Sequence, residues 1–259
     1  PATEAPPVLE ETVALLTGGL DGSSRISFSE VFPSTSGCSL PPLPAPRWAH
    51  TLFTTAGPNP TVAVCGGRTS GGNDLSSCLV LDLANQRWEE NTMGSLPQPR
   101  KNQAVVTLNN IGNYMIGGSG RSTDFLPKGS QQWVAGPAIP VNMWSPCAVV
   151  ISERRFLAIY GREIREYEVN KEQPTSESGW QEGTKWPQLQ TRRRDWPGCS
   201  LINGKVVIAG GWSNGGTISS TEVLDIQSRT IQYGEDLTTP RRYFHIVTIR
   251  TQGVERALA

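Results

Sequence analysis

Pairs of glycines that close a short apolar run recur along this chain of 259 residues, at Gly18-Gly19, Gly66-Gly67, Gly117-Gly118 and Gly210-Gly211. Their first glycines stand 48, 51 and 93 residues apart, and a degenerate copy at Tyr160-Gly161 halves the longest interval. A recurrence of about 50 residues with this signature predicts a radially repeated β-sheet unit. Each unit leaves apolar faces that only its neighbours can cover, so the copies are expected to close into a ring.

Reading the copies against one another predicts four strands per unit. The first strand follows a Pro-Arg-type loop, as in Arg47-Trp48-Ala49-His50 before Thr51–Thr54, and again in Arg242-Tyr243-Phe244-His245 before Ile246–Ile249. The second ends on the glycines: Val62–Cys65, Tyr114–Ile116, Phe156–Tyr160 and Val206–Ala209, all short and rich in β-branched or aromatic residues. A third strand is marked by Glu30-Val31-Phe32, Leu79–Asp82, Glu166–Val169 and Glu222–Asp225. The fourth begins at Trp88, Trp133 and Trp180. Helical periodicity is scarce, and 20 Pro and 27 Gly between short strands read as an all-β chain with many tight turns.

This pattern resembles the kelch-repeat family over essentially the whole chain. Glycine pair, downstream aromatic or Leu, and fourth-strand Trp occur in that order in the second copy, Cys65 to Arg100. The third and fourth copies depart from it: Ser-Gly-Arg replaces a longer loop after Gly118, and the fourth lacks its first glycine. The resemblance implies a kelch-type β-propeller of four-stranded antiparallel blades, a single domain over residues 1–259 with a Pro-rich lead over 1–12. Strand Val13–Thr17 enters without a first strand, and Val254–Ala259 stops where a glycine pair is due. A six-bladed ring with its C-terminal part absent is expected from this; in the alternative, the His245 strand closes the first blade and the ring has five.

Glycines at the end of a second strand permit positive φ and close backbone approach, and the repeat Trp and loop Arg pack between blades. Cys65 and Cys78 flank a 12-residue span between two antiparallel neighbours, within reach of a disulfide that would add about 3 kcal/mol in the chain-entropy model. The alternative is two buried thiols in a cytoplasmic protein. A bridge implies an oxidising compartment, hence an extracellular location. Cys147 and Cys199, in first strands of different blades, read as core. Cys38 takes the place of a repeat Trp.

Lys plus Arg equals Asp plus Glu at 23 each, which argues against a nucleic-acid binder. No apolar run approaches the roughly 20 residues of a membrane span. No Cys-x-x-Cys, phosphate loop, Gly-x-Ser-x-Gly or His-Glu-x-x-His motif occurs, so no metal or cofactor is implied. Copper oxidases on kelch propellers need several converging His and Tyr ligands, whereas His50 and His245 share one repeat position. Sialidase boxes of the form Ser-x-Asp-x-Gly-x-Thr-Trp are also missing.

These readings favour a non-catalytic module, not an enzyme, that presents its loops to a protein partner, and the arginine loop would suit an acidic one. The binding candidates are Arg192, Arg193, Asp195 and Trp196 in one loop, and Trp212 with Asn214 in another. Arg194 is assigned to packing, and either Trp is open to an interblade role. Two alternatives remain. One is a glycan-processing or other channel-mouth enzyme, with Asp195, Asp124 and Glu163 as its carboxylates. The other is an intracellular substrate-recruiting adaptor.

Overall fold

The computed structural model describes residues 14–21, 24–32, 40–170, 179–181, 186–193, 196–242, 247–251 and 254–258. Among the described residues, six antiparallel sheets follow one another along the chain, beside two short ribbons, Arg47–Trp48 with Arg68–Thr69 and Trp212–Ser213 with Gly216–Thr217. Sheet 1 pairs Ala14–Asp21 with Ser24–Phe32. Sheet 2 runs Thr51–Thr54, Val62–Cys65, Cys78–Asp82, Arg87–Glu90, and sheet 3 runs Ala104–Leu108, Gly112–Ile116, Thr123–Pro127, Val134–Ala135. Sheet 4 runs Cys147–Ser152, Arg155–Tyr160, Glu163–Glu168, Gly179–Trp180, and sheet 5 runs Gly198–Ile202, Lys205–Ala209, Thr221–Asp225, Thr230–Tyr233. Sheet 6 pairs Val247–Thr251 with Val254–Leu258. This all-β architecture is consistent with a six-bladed β-propeller.

Burial orders each sheet radially. In sheet 3 the first strand alternates buried with half-buried positions, the second is buried throughout, and the fourth is exposed. First strands of successive sheets are also the ones that approach each other, so they line the inside of the ring. Strand Val247–Thr251 pairs with Val254–Leu258, and Ala14–Asp21 pairs with Ser24–Phe32, so the chain after His245 builds its own sheet. One expectation fails in the first copy. Gly18-Gly19 does not end a strand but lies inside Ala14–Asp21, where the register slips between Thr17 and Gly19. A pair of residues without Cβ atoms accommodates such a bulge. His245, Cys38 and Val13 lie outside the described residues.

The glycine pairs are used twice at each seam between sheets. Gly67, Gly118, Gly161 and Gly211 each donate their N–H, at 2.8–2.9 Å, to a carbonyl in the loop leading into the next sheet: Arg100, Met143, Arg193 and Arg241 respectively. At Arg47, Arg100 and Arg193 the guanidinium turns to the following sheet and bonds the carbonyl of that sheet's own first glycine. Arg47 reaches Gly66 (3.1 Å), Arg100 reaches Gly117 (3.3 Å) and Arg193 reaches Gly210 (2.8 Å). At Gly118, with φ 76°, an added Cβ would collide with the Lys101 carbonyl.

Two of these arginines also meet a carboxylate. Arg100 pairs with Asp124 at 2.5 Å and Arg193 with Glu222 at 3.1 Å, both pairs buried. Arg47 instead bonds the carbonyl and hydroxyl of Ser77. Sheet 4 lacks the whole device. Met143 stands in place of the arginine, Tyr160 in place of the first glycine, and Arg165 at the register of Asp124 and Glu222. Its seam with sheet 3 is filled by rings: Tyr114 stacks on Phe125 (4.6 Å), Phe156 on Tyr167 (4.9 Å), Tyr114 meets Tyr167 (5.0 Å), and Trp180 stands edge-on to Phe156 and Tyr167.

Candidate functional site

Because the second-glycine N–H groups bond the loops between sheets, those loops and the loops after the glycine pairs share one face of the ring. On this face, in sheet 5, Arg192, Trp212, Ser213, Asn214 and Gly215 line a cleft of about 250 Å³. One wall is a two-stranded ribbon, Trp212–Ser213 against Gly216–Thr217. Its tip is Asn214-Gly215, with φ 48° and 82°. Two consecutive left-handed residues make the tight hairpin turn for which Asn-Gly is suited, so the wall is rigid. Asn214 is exposed at the tip, and its amide has no hydrogen-bond partner among the described residues. Trp212 is half-buried, with the Arg242 guanidinium 4.4 Å from its ring centroid.

The facing wall is set by Glu222. Its carboxylate accepts the backbone N–H of Gln190 (2.6 Å) and Thr191 (3.0 Å) as well as the guanidinium of Arg193. Arg193 in turn bonds the carbonyls of Gly210 and Ser220, the two ends of the loop that bears the Trp212 ribbon. One buried ion pair thus fixes both walls and leaves Arg192 exposed between them, with no ion pair among the described residues. Burial in this position pulls the Arg193 guanidinium below its ordinary pKa.

The six residues singled out from sequence therefore divide. Arg192, Trp212 and Asn214 converge on the cleft. Arg193 does not: it is wholly buried and structural, a correction to its place among the binding residues. Trp196 is half-buried at φ 50°, a left-handed position that Ala49 and Asn102 occupy in sheets 2 and 3. Asp195 and Arg194 lie outside the described residues. Sequence reasoning missed Ser213, Gly215 and Arg242. The Trp-Ser-Asn-Gly-Gly string was the signal for the first two, since it spells a two-residue hairpin.

Of the other carboxylates, Asp124 is held in the buried pair with Arg100, and Glu163 pairs with Arg165 (2.6 Å) and accepts from Gln188 (3.2 Å). Cys65 and Cys78 are bridged, directly opposite each other in their hairpin with Cα atoms 4.1 Å apart. Cys147 and Cys199 are bridged as well, with Cα atoms 5.9 Å apart, which corrects their reading as unpaired core residues. They sit at the start of first strands in successive sheets, and such strands are neighbours at the inside of the ring. Two disulfides are consistent with an extracellular protein. Among the described residues no helix is long and apolar enough to cross a membrane, and no cluster of three or more metal-ligating side chains occurs.

No protein-family model and no curated protein sequence matches this chain. By fold it falls with the six-bladed propeller-like proteins. The solved structure of YjhT superposes on it with a TM-score of 0.66 at 10% identity, covering 94% of this chain and 96% of that one. At that identity the likeness is one of fold, and it leaves the kelch assignment without sequence support. It also corrects two expectations together, that of a non-catalytic protein-binding module and that of a chain which is not an enzyme. The first rested on the kelch resemblance and a charged docking loop, the second on the absence of catalytic motifs. The chain instead aligns from end to end with YjhT, and the centre of that loop, Arg193, is a buried fastening beside a formed cleft.

Proposed function

We propose that this protein is a glycan-processing enzyme whose substrate enters the cleft of sheet 5. The observation that carries the reading is the lining: an exposed guanidinium, a free amide and an indole held by a rigid turn around one small concavity. A sugar ring offers C–H faces to an indole and a rim of hydroxyls to guanidinium and amide donors. At about 250 Å³ the cleft is smaller than those that take drug-sized ligands, so it suits a single sugar unit. Proton transfer needs a carboxylate close by. From its place in the sequence alone, three residues beyond Arg192, we assign that role to Asp195, since Asp124, Glu163 and Glu222 are engaged in ion pairs. The two disulfides support placing this activity outside the cell.

The test is to incubate the protein with a panel of glycosides and free sugars and follow products by NMR. Asp195→Asn should lower turnover of the responding sugar by about 100-fold or more without changing its binding, the lower end of what a positioned acid or base contributes. Trp212→Ala should weaken binding with the melting temperature held. If no sugar binds, or if Asp195→Asn turns over as the parent does, the reading fails.

A further inference from the structure

The hairpin turns at the opposite ends of the same strands form a second concavity, of about 410 Å³, between sheets 2 and 3. We propose that it binds an oxyanionic ester of a small polyol, a sugar sulfate or phosphate, independently of the cleft in sheet 5. Its polar lining is Thr54, Thr55, Asn109, Asn110 and Lys128, with Pro58 and Pro60 on the rim. The Lys128 ammonium and the amides of Asn109 and Asn110 have no partner among the described residues, although they converge on one space. The three segments that supply this lining, residues 54–62, 108–112 and 126–130, contain no Asp or Glu, so Lys128 is their only charge. A set of unengaged donors with one cation and no carboxylate matches an oxyanion rather than a cation.

Asn109, Asn110 and Lys128 are exposed, but the backbone turns that carry them are held in place before any ligand arrives. Buried Asn113 accepts the N–H of Ala56 (3.0 Å) and donates to the Thr54 carbonyl (2.9 Å) and the Thr107 hydroxyl (2.8 Å), locking the first turn against the second sheet. Ile111 donates to the Leu108 carbonyl across the Asn109-Asn110 turn, and Lys128 donates its own N–H to the Ile111 carbonyl (both 2.8 Å). Gly57 lies against the Lys128 stem, where an added Cβ would be 3.7 Å from Lys128 Cγ. Hydroxyls of the polyol would meet Thr54 and the second asparagine, while the rigid proline rim keeps the mouth open. Little backbone ordering is then required on binding, and the cost falls on the three donor side chains.

Isotope-labelled protein titrated with a sugar monosulfate, the matching monophosphate, the unsubstituted sugar, and inorganic sulfate and phosphate provides the test. One of the two esters should shift the Asn109 and Asn110 side-chain amides saturably, and the stronger one identifies the group. Lys128→Ala should weaken that binding about tenfold, the scale of one charge-assisted hydrogen bond. The Asn109→Asp/Asn110→Asp double variant, with its fold checked by circular dichroism, should abolish it. Inorganic ions binding as tightly as the ester, an equal response to chloride at matched ionic strength, or unchanged affinity in Lys128→Ala would each overturn the proposal. None of these outcomes bears on the sheet 5 cleft, whose test uses different residues.

Discussion

The seam between sheets 3 and 4 and the seam between sheets 4 and 5 join the same kind of strands by opposite means. The second is fastened by Arg193, whose carbonyl belongs to the bonding of sheet 4 and whose guanidinium belongs to sheet 5, and by the Cys147–Cys199 bridge. The first has no such arginine; it keeps the backbone bonds that join Gly118 and Gly120 to Met143 and a bond from the Trp180 indole to the Thr123 hydroxyl (3.2 Å), and fills the remaining space with Tyr114, Phe125, Phe156, Tyr167 and Trp180. Burial there pushes the Tyr167 phenol up to about 12. Arginine, first glycine and carboxylate are all replaced at once in sheet 4. A buried carboxylate without its arginine would be an uncompensated charge, whereas the buried Arg47 does without a carboxylate by bonding the Gly66 and Ser77 carbonyls and the Ser77 hydroxyl.

The largest effect that would break this contrast is expected from Arg193→Met, which imitates the 3–4 seam without its aromatic filling. Glu222 would remain buried without its cation, and removal of one partner from such a pair costs about 3–5 kcal/mol. Urea unfolding measures it. A loss within the range of surface substitutions would mean that the guanidinium contributes only geometry. The cleft should also open, since both of its walls lose their common tether.

Next in size are the disulfides. In the chain-entropy model, the loop of sequence separation 52 closed by Cys147–Cys199 contributes about 4 kcal/mol, against about 3 kcal/mol for the separation of 13 at Cys65–Cys78. Paired Cys→Ser variants should therefore rank in that order in denaturant midpoint. The reverse order would show that the bridge inside one sheet outweighs the bridge between two.

The smallest expected effect concerns pH. Burial lifts the Asp124 carboxyl above its ordinary value of 3.8 despite the Arg100 guanidinium beside it, and burial lowers Arg100 as well. Desolvation thus outweighs attraction on both sides of the pair. A carboxyl that holds its proton to higher pH when folded contributes stability that is present below 3.8 and is lost as pH rises through the raised folded value. The difference in unfolding free energy between the parent and Asp124→Asn, measured across roughly pH 3 to 7, should fall as pH rises. A difference that grows with pH would mean attraction dominates.

The repeat made the sheets legible in the sequence, because a glycine pair follows the second strand in sheets 2, 3 and 5 and a Trp lies at or beside the fourth strand in sheets 2, 3 and 4. Choosing the structural arginine in the triple run was harder. In sheets 2 and 3 the fastening arginine stands four residues before the first strand, at Arg47 before Thr51 and Arg100 before Ala104. The same count back from Gly198 lands on Arg194, but one extra residue in that loop moves the role to Arg193. Cys147 and Cys199 were misread for a related reason: their separation along the chain hides the fact that successive inner strands are neighbours. The Arg192, Trp212 and Asn214 cluster was visible as residue types. The wall that brings them together depends on Glu222, whose bonds to Gln190 and Thr191 have no counterpart at Asp124.

Arg100 and Arg193 each serve two sheets with different parts of one residue, so neither sheet can leave the ring without stranding a charge in the other. In a stack of repeats, such shared groups raise the nearest-neighbour coupling at the expense of intrinsic repeat stability. Loss of order in sheet 5 would therefore be transmitted to sheet 4 as an electrostatic penalty, and onward to sheet 3 through ring packing and neutral hydrogen bonds, with no buried ion pair among the described residues. The molecule is a chain of links of two strengths of cooperativity, and its opening units should be bounded where the arginine is missing.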